Sequence, residues 1–302
     1  MPSELGNSSW VRESKLNWYE RLAVNVVKIG NIPRHVAFIM DGNRRFATKA
    51  HIESREGHAA GFDKLSETLQ WCLDLGIQEV TVYAFSIENF KRNQDEVDSL
   101  MSLAREKFQK LLDERDKLHE RGICIRIIGN MSLLPKDILK TMAEAVLLTK
   151  DNKTAILNVA FAYTSRDEIT NTIKTLAAGV KDDAIQVQDI NETLFNECLY
   201  TNKSPNPDLL VRTSGEVRFS DFLLWQSSSS VVYFTDALWP EFTFWHLIGA
   251  IIYYQRHCPG MKKVQYELRN SSKGCLNTKS KEFIEKVNIS RENEWKACQT
   301  AN

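Results

Sequence analysis

Apolar and polar positions follow two alternating periods along the chain, framed by a different pattern at each end. In residues 10–29, Val11, Trp18, Leu22, Val26 and Ile29 fall on one side of a helical wheel, while Arg12, Glu13, Glu20, Arg21, Asn25 and Lys28 lie mostly elsewhere. This predicts an amphipathic helix closed by Gly30 and Pro33. Such a helix docks on its own domain or lies on a membrane surface, and the pattern leaves both open.

After Pro33, residues 35–40 are almost continuously apolar, as a strand covered on both faces requires. A helix over about 57–75 places Phe62, Leu65, Leu69 and Cys72 on one face and ends at Gly76. Residues 79–85 are β-branched and aromatic, which predicts a second strand. A long helix over about 95–120 keeps Val97, Leu100, Met101, Ala104, Phe108, Leu111 and Leu112 at three- and four-residue spacing and stops at Gly122. Strands at 123–128, 155–161, 209–211 and 231–234 follow, separated by helices from about 135, over 166–178 and over 189–199. An apolar helix over 242–257 closes the series, and beyond Pro259 the polar, charged composition predicts a tail. The expected fold is a single α/β domain with a six-stranded, mostly parallel sheet flanked by helices, carrying an N-terminal amphipathic helix and a polar C-terminal tail. The expected divisions are 1–32, 33–258 and 259–302.

Composition narrows the classes. Lys plus Arg and Asp plus Glu both total 39 among 302 residues, and 43% are hydrophobic, which excludes a disordered polyelectrolyte and a surface built throughout for nucleic acid. The six cysteines are scattered, with no C-x-x-C, so they read as reduced thiols. With no signal-peptide pattern, sequons such as Asn130-Met131-Ser132 read as chance matches. No stretch reaches 18 apolar residues, so no segment is expected to span a membrane.

In an open parallel sheet, ligands bind beyond the carboxyl ends of the strands. The first strand runs into Asp41-Gly42-Asn43-Arg44-Arg45 and the second into a segment holding Asn89 and Arg92. The fourth runs into Tyr163-Thr164-Ser165-Arg166 and the fifth into Arg212 through Ser220. Four strand ends thus bring Arg, Asn, Ser and Asp to one edge. Arginine forks match phosphate oxygens, and Gly42 and Gly215 admit backbone N–H groups close to an anion. Asp41, read as the lone carboxylate of a basic cluster, suits a Mg²⁺ ion bridging phosphate oxygens; the other reading is an Asx turn or helix cap. His58 sits at a helix start beside the first strand end, where it contacts phosphate or caps the helix. The P-loop, dinucleotide-binding, hydrolase-elbow and H-E-x-x-H patterns are absent.

Residues 35–45, 83–92, 208–226 and 238–241, in order, resemble the cis-prenyltransferases, the undecaprenyl and dehydrodolichyl diphosphate synthases, most of all the eukaryotic dehydrodolichyl type of catalytic subunit. The likeness runs from about Pro33 to His257. It implies a dolichol-precursor synthase that condenses isopentenyl diphosphate successively onto farnesyl diphosphate, each step leaving a cis double bond. Carried over, Asp41 holds Mg²⁺; Gly42, Asn43, Arg44, Arg45 and Arg92 bind the allylic diphosphate; Asn89 organises the allylic end. Arg212, Arg218 and Ser220 bind isopentenyl diphosphate. The apolar face of the long helix, with Phe62 and Leu65, lines a tunnel or simply packs in the core.

Departures from the family pattern matter. A metal-binding Glu of bacterial members is replaced by Val231, no Arg-x-Gly triplet follows Pro259, and Ser54, followed by Arg55, stands where an arginine is expected. The first two imply a site completed by a second, membrane-anchored subunit of the Nogo-B-receptor type, which places the chain peripherally on the cytosolic face of the endoplasmic reticulum membrane. The rivals are a noncatalytic subunit of the same fold and an α/β phosphohydrolase or phosphate-ester-binding module.

Overall fold

The computed structural model describes residues 9–271 and 276–300; Cys275 and the outermost residues of both predicted terminal segments lie outside them. Among the described residues, six strands form one sheet: β1 (His35–Ile39), β2 (Glu79–Ser86), β3 (Ile123–Ile128), β4 (Ala155–Tyr163), β5 (Leu209–Arg212) and β6 (Val231–Phe234). They lie in the order β3-β4-β2-β1-β5-β6, and every neighbouring pair is parallel. All residues of β1 and β5 are buried, which is why their sequences read as unbroken apolar runs.

The helices are α1 (Trp18–Val27), α2 (Asn43–Ala50), α3 (Ser54–Leu75), α4 (Gln94–Asp113), α5 (Arg115–Glu120), α6 (Lys136–Thr149), α7 (Ser165–Lys181), α8 (Glu192–Cys198), α9 (Phe244–Ser271) and α10 (Thr278–Thr300). The larger core joins one face of the sheet, through Val36, Phe38, Val80 and Val82, to Leu65 of α3, Phe108 of α4, Ile138 of α6 and Leu247 of α9. On the other face, Ala37, Ile39 and Leu210 pack with Phe222 and Leu223 from the segment after β5.

Several boundaries differ from the pattern. The predicted helix over 10–29 is helical only at Trp18–Val27. Trp10, Val11 and Leu16 instead form a buried, non-helical strap, in which the Trp10 indole N–H donates to the Lys107 carbonyl at 2.7 Å. Helix α1 begins where the Asn17 N–H donates to the Glu20 carboxylate at 2.8 Å. The helix docks on its own domain through Val24 and Val27, which are buried, while Trp18, Leu22, Val26 and Ile29 are exposed. The long helix over 95–120 breaks at Glu114 into α4 and α5.

Helix α2 is an element the apolar pattern does not announce, because its sequence is mostly polar. At the other end, α9 continues through Pro259, and the expected tail is largely helical. Helix α10 packs on α6 and α8 and buries Phe283 against Leu176, Ile185 and Leu194. Sparse apolar positions suffice there, because a few large side chains anchor the helix.

Candidate active site

The strand ends converge as the parallel topology requires. Past β1 the chain turns at Gly42, whose φ of 106° admits no ordinary side chain without strain, and enters α2. Helix α3 lies against that turn because Gly57 and Gly61 allow it; a Cβ at Gly57 would fall 2.6 Å from the Asn43 carbonyl oxygen. Thr213, just past β5, fixes the turn from the other side by donating to the Asp41 carbonyl at 2.7 Å and accepting the Asp41 N–H at 3.0 Å.

Asp41 is half-buried and ionised. Burial raises its pKa, but the hydrogen bond and charge of Arg212, the Gly42 N–H and Arg45 outweigh burial and hold the carboxyl below its usual range. Its Oδ2 accepts from the Arg212 guanidinium at 2.9 Å and its Oδ1 from the Gly42 N–H at 2.7 Å. Arg212 is 2% exposed and also donates to Ser220 Oγ at 2.8 Å and to the Arg218 carbonyl.

Around Asp41 the arginines form two groups, each spanned by a glutamate. Glu96 reaches Arg92 at 2.7 Å and Arg44 at 3.8 Å. Glu216 pairs with Arg218 and lies 3.7 Å from Arg45. Asp41 is therefore not the lone carboxylate: Glu96 spans one arginine group, and Glu88, Glu216 and Asp221 line the same cavity. Arg45 stands between the groups, 3.7 Å from Asp41 and donating to the carbonyl and hydroxyl of Ser214. Glu96 stands four residues after Arg92, but Arg92 precedes α4, so helical spacing gave no signal of the pair; Glu216 and Arg166 lay within segments already singled out for their arginines.

Asn43 Oδ1, His58 Nε2 and Arg212 Nε are buried without a hydrogen-bond partner among the described residues. All three residues line the cavity, and buried polar atoms of this kind mark a place built for a polar ligand. His58 lies within α3, past its first turn, so it does not cap the helix. Burial, then the charge of Arg92 and Arg44 against an opposing Glu96, lowers its pKa to about 4, so it is neutral near pH 7. Asn89 accepts the Ser86 N–H at 2.9 Å, which closes the turn after β2 and fixes the residue at the cavity wall.

The cavity, its polar mouth included, has a volume of about 1400 Å³ and runs between α3, α4 and the sheet. Its inner wall includes Phe62 and Leu65 of α3, Leu100, Ala104 and Phe108 of α4, and Phe161 of β4, with Trp10 of the strap. Charge at the mouth and hydrocarbon within fit an amphiphile with an anionic head and a long apolar body.

Val231 is buried at the amino end of β6, paired with Leu209 at the start of β5, and so at the opposite edge from Asp41. Val231 thus lies at the far end of the strands from Asp41, in the core, and does not stand in for a missing ligand of this chain's own site. Ser54 opens α3, and Arg55 lies 3.9 Å from Glu106.

A parallel α/β sheet with arginine-lined strand ends above an apolar cavity defines the class, and the family model described as "Putative undecaprenyl diphosphate synthase" matches residues 39–259. The chain belongs to the cis-prenyltransferase family, whose members elongate prenyl diphosphates with cis double bonds. It is 54% identical over 257 residues, 85% of this chain and 77% of the relative, to the human dehydrodolichyl diphosphate synthase complex subunit DHDDS. It is 46% identical over 224 residues, 74% of this chain and 84% of the relative, to a geranylgeranyl-diphosphate-specific tritrans,polycis-undecaprenyl-diphosphate synthase of Pyrococcus furiosus. Among solved structures, lavandulyl diphosphate synthase from Lavandula x intermedia, in complex with dimethylallyl diphosphate, superposes with a TM-score of 0.70 at 33% identity, covering 74% of this chain and 95% of that one.

Proposed function

We propose that this chain is the catalytic subunit of a dehydrodolichyl diphosphate synthase, which adds isopentenyl diphosphate units in cis to farnesyl diphosphate and makes the long precursor of the dolichol used in protein glycosylation. The observation that carries this reading is the pair of arginine groups flanking Asp41 at the polar mouth of a cavity of about 1400 Å³ whose other wall is apolar.

Arg44, Arg92, Asn43, His58 and the Gly42 turn hold the allylic diphosphate. Arg212, Arg218 and Ser220 hold that of isopentenyl diphosphate, and Arg45 stands between the two. In each round the allylic C–O bond breaks, a 1'-4 C–C bond forms, a proton leaves the isopentenyl C2, and diphosphate departs. Arginines fixed before the reaction stabilise the charge developing on that leaving diphosphate, and two anchored heads hold the reacting carbons in register. Asn89 orients the allylic end beside the mouth. The cavity takes up the growing chain tail first.

Among the described residues, no three His, Cys, Asp or Glu side chains gather into a cage for a metal ion. The donor set instead fits Mg²⁺, which is commonly held by one or two carboxylates and substrate phosphates. Asp41, ionised beside both arginine groups, is the residue that would hold it. The ion would neutralise charge on the diphosphate.

The human and mouse relatives are named as complex subunits, and we place this chain likewise in a heteromer, with a Nogo-B-receptor-type subunit supplying an Arg-x-Gly tail. Support comes from the exposed aromatic face where Tyr19 stacks on Trp245, 6.3 Å between ring centroids. No helix among the described residues is long and apolar enough to cross a membrane. The exposed stripe Trp18, Leu22, Val26 and Ile29 supports peripheral contact with the cytosolic face of the endoplasmic reticulum membrane.

The noncatalytic-subunit and phosphohydrolase readings each predict no elongation. Incorporation of labelled isopentenyl diphosphate into long, extractable products with farnesyl diphosphate and Mg²⁺ supports the proposal. Phosphate release without elongation overturns it in favour of a hydrolase.

A further inference from the structure

Four non-glycine residues after β5 have left-handed backbones: Ser214, Ser220, Asp221 and Leu223, with φ of 78°, 48°, 61° and 46°. Three of them fall within four residues, directly after Arg218. Conformations of this kind persist where surrounding contacts over-determine them. Here the contacts come from behind. The Tyr83 hydroxyl is shared between the Tyr163 carbonyl at 3.1 Å and the Ser220 carbonyl at 3.3 Å, and its ring stacks on Phe222. The Ser165 N–H donates to the Asp221 carbonyl at 2.7 Å, and the Leu224 N–H donates to Ser165 Oγ at 2.9 Å.

Those holding groups converge on one carboxylate outside the cavity. Glu168 of α7 is fully buried and accepts four hydrogen bonds. Its Oε2 takes the Tyr163 hydroxyl at 2.6 Å and Gln226 Nε2 at 2.9 Å; its Oε1 takes the Thr201 N–H at 3.1 Å and hydroxyl at 3.2 Å. Tyr163 meets the stacked Tyr83 and Phe222 rings edge to face, and Gln226 lies three residues beyond Leu223, so both ends of the strained segment are tied to Glu168.

We infer that Glu168 is a positioning residue, which through Tyr163 and Gln226 sets the 218–224 segment so that Arg218 and Ser220 present their donors to one diphosphate. This rests on the proposal that the segment binds isopentenyl diphosphate. The side chain itself touches no substrate. Its loss leaves the Thr201 N–H without its acceptor, leaves the Tyr163 hydroxyl only Ser165 Oγ at 3.4 Å and the Gln226 amide only Thr201 Oγ1 at 2.7 Å, and frees the segment to relax.

The test uses the full chain in its active assembly, with KM measured separately for isopentenyl and farnesyl diphosphates. Glu168→Leu is expected to raise the KM for isopentenyl diphosphate roughly tenfold or more while that for farnesyl diphosphate stays within about threefold, since one lost acceptor network is worth about a decade of affinity. Glu168→Gln restores most of the loss. Its carbonyl accepts from Thr201 and its NH₂ donates to Tyr163 Oη; the Gln226 amide, whose Nε2 faces that position and whose Oε1 is buried without a partner, turns over to accept. Should Glu168→Leu fail to fold, Gln226→Leu, which removes one of the four bonds to Glu168 and the bond to Thr201 Oγ1, carries the same expectation at smaller size. Equal losses for both substrates, or no change in a folded variant, overturn the inference. Arg218→Ala run alongside separates the two levels. If it raises the isopentenyl KM and Glu168→Leu does not, positioning by Glu168 is wrong and the site assignment stands; if neither does, the assignment itself fails.

Discussion

Replacing Asp41 by alanine perturbs two things, and the structure gives each a size. The first is Arg212, which is 2% exposed and loses its nearest counter-charge at 2.9 Å. Breaking a fully buried ion pair costs about 3–5 kcal/mol. The Asp41 side chain is 35% exposed, so water takes over part of its role, and about 1–3 kcal/mol is the appropriate range. At roughly 2 °C per kcal/mol for a chain somewhat above 250 residues, the Tm falls by about 2–6 °C. The second is turnover. Losing the carboxylate proposed to hold the ion removes several kcal/mol of charge stabilisation, and about 4 kcal/mol corresponds to a thousandfold loss in kcat. Asp41→Asn is the informative companion, because it keeps an acceptor for the Gly42 N–H and the volume at the turn while removing the charge. It should recover part of the stability and little of the rate. Calorimetric Tm values and single-turnover rates across a Mg²⁺ titration read the two effects separately. Turnover in Asp41→Ala within tenfold of the parent at saturating Mg²⁺ refutes the metal role; an unchanged Tm refutes the pairing with Arg212.

Other perturbations test the neighbouring parts. Arg92→Ala should raise the KM for farnesyl diphosphate by about 10–100-fold, as expected for a lost charge-assisted contact of about 1.5–3 kcal/mol, and leave that for isopentenyl diphosphate little changed; the reverse split would reassign the arginine groups. His58 has its pKa lowered to about 4 in the folded state from an ordinary 6.5, so between those values the unfolded chain binds a proton that the folded one does not. Stability therefore falls as pH drops from about 6.5 to 4, and in His58→Gln the dependence of Tm on pH across that window should flatten; an unchanged slope removes His58 as the cause. Ala104→Phe adds bulk to the inner wall of the cavity and should shorten the product distribution seen by thin-layer chromatography, whereas unchanged lengths would place the growing chain elsewhere.

The sheet was the most legible part, because buried parallel strands leave nothing polar to interrupt them: the runs 35–40 and 209–211 fall within a residue of the observed β1 and β5. From strand order followed the edge at which Asp41, Arg92, Arg212 and Ser220 meet, so the candidate site was legible as a set of residues. Its internal pairing was not. Glu216 and Glu96 span arginines that are distant in sequence, and only the fold brings Arg44 of α2 within reach of Glu96 of α4. Helix α2 was hidden because its apolar positions are few and its start is set by a glycine turn. Trp10 was misread because a strap held by tertiary contacts to Lys107 and Glu114 has apolar residues at spacings that mimic a helix. Helix α10 was missed for the opposite reason, a polar sequence anchored by Phe283. The acceptor network at Glu168 leaves no sequence signal beyond a carboxylate in the first turn of α7.

The central claim is that the two arginine groups hold two diphosphates and join their prenyl chains in cis. It is tested most directly by incubating the full chain with farnesyl diphosphate, labelled isopentenyl diphosphate and Mg²⁺, with and without a companion subunit bearing an Arg-x-Gly tail. Weak incorporation by the chain alone, a strong rise with the companion, and long products with cis double bonds are expected. Failure to elongate in either mixture, with the protein folded and both diphosphates present, would contradict it.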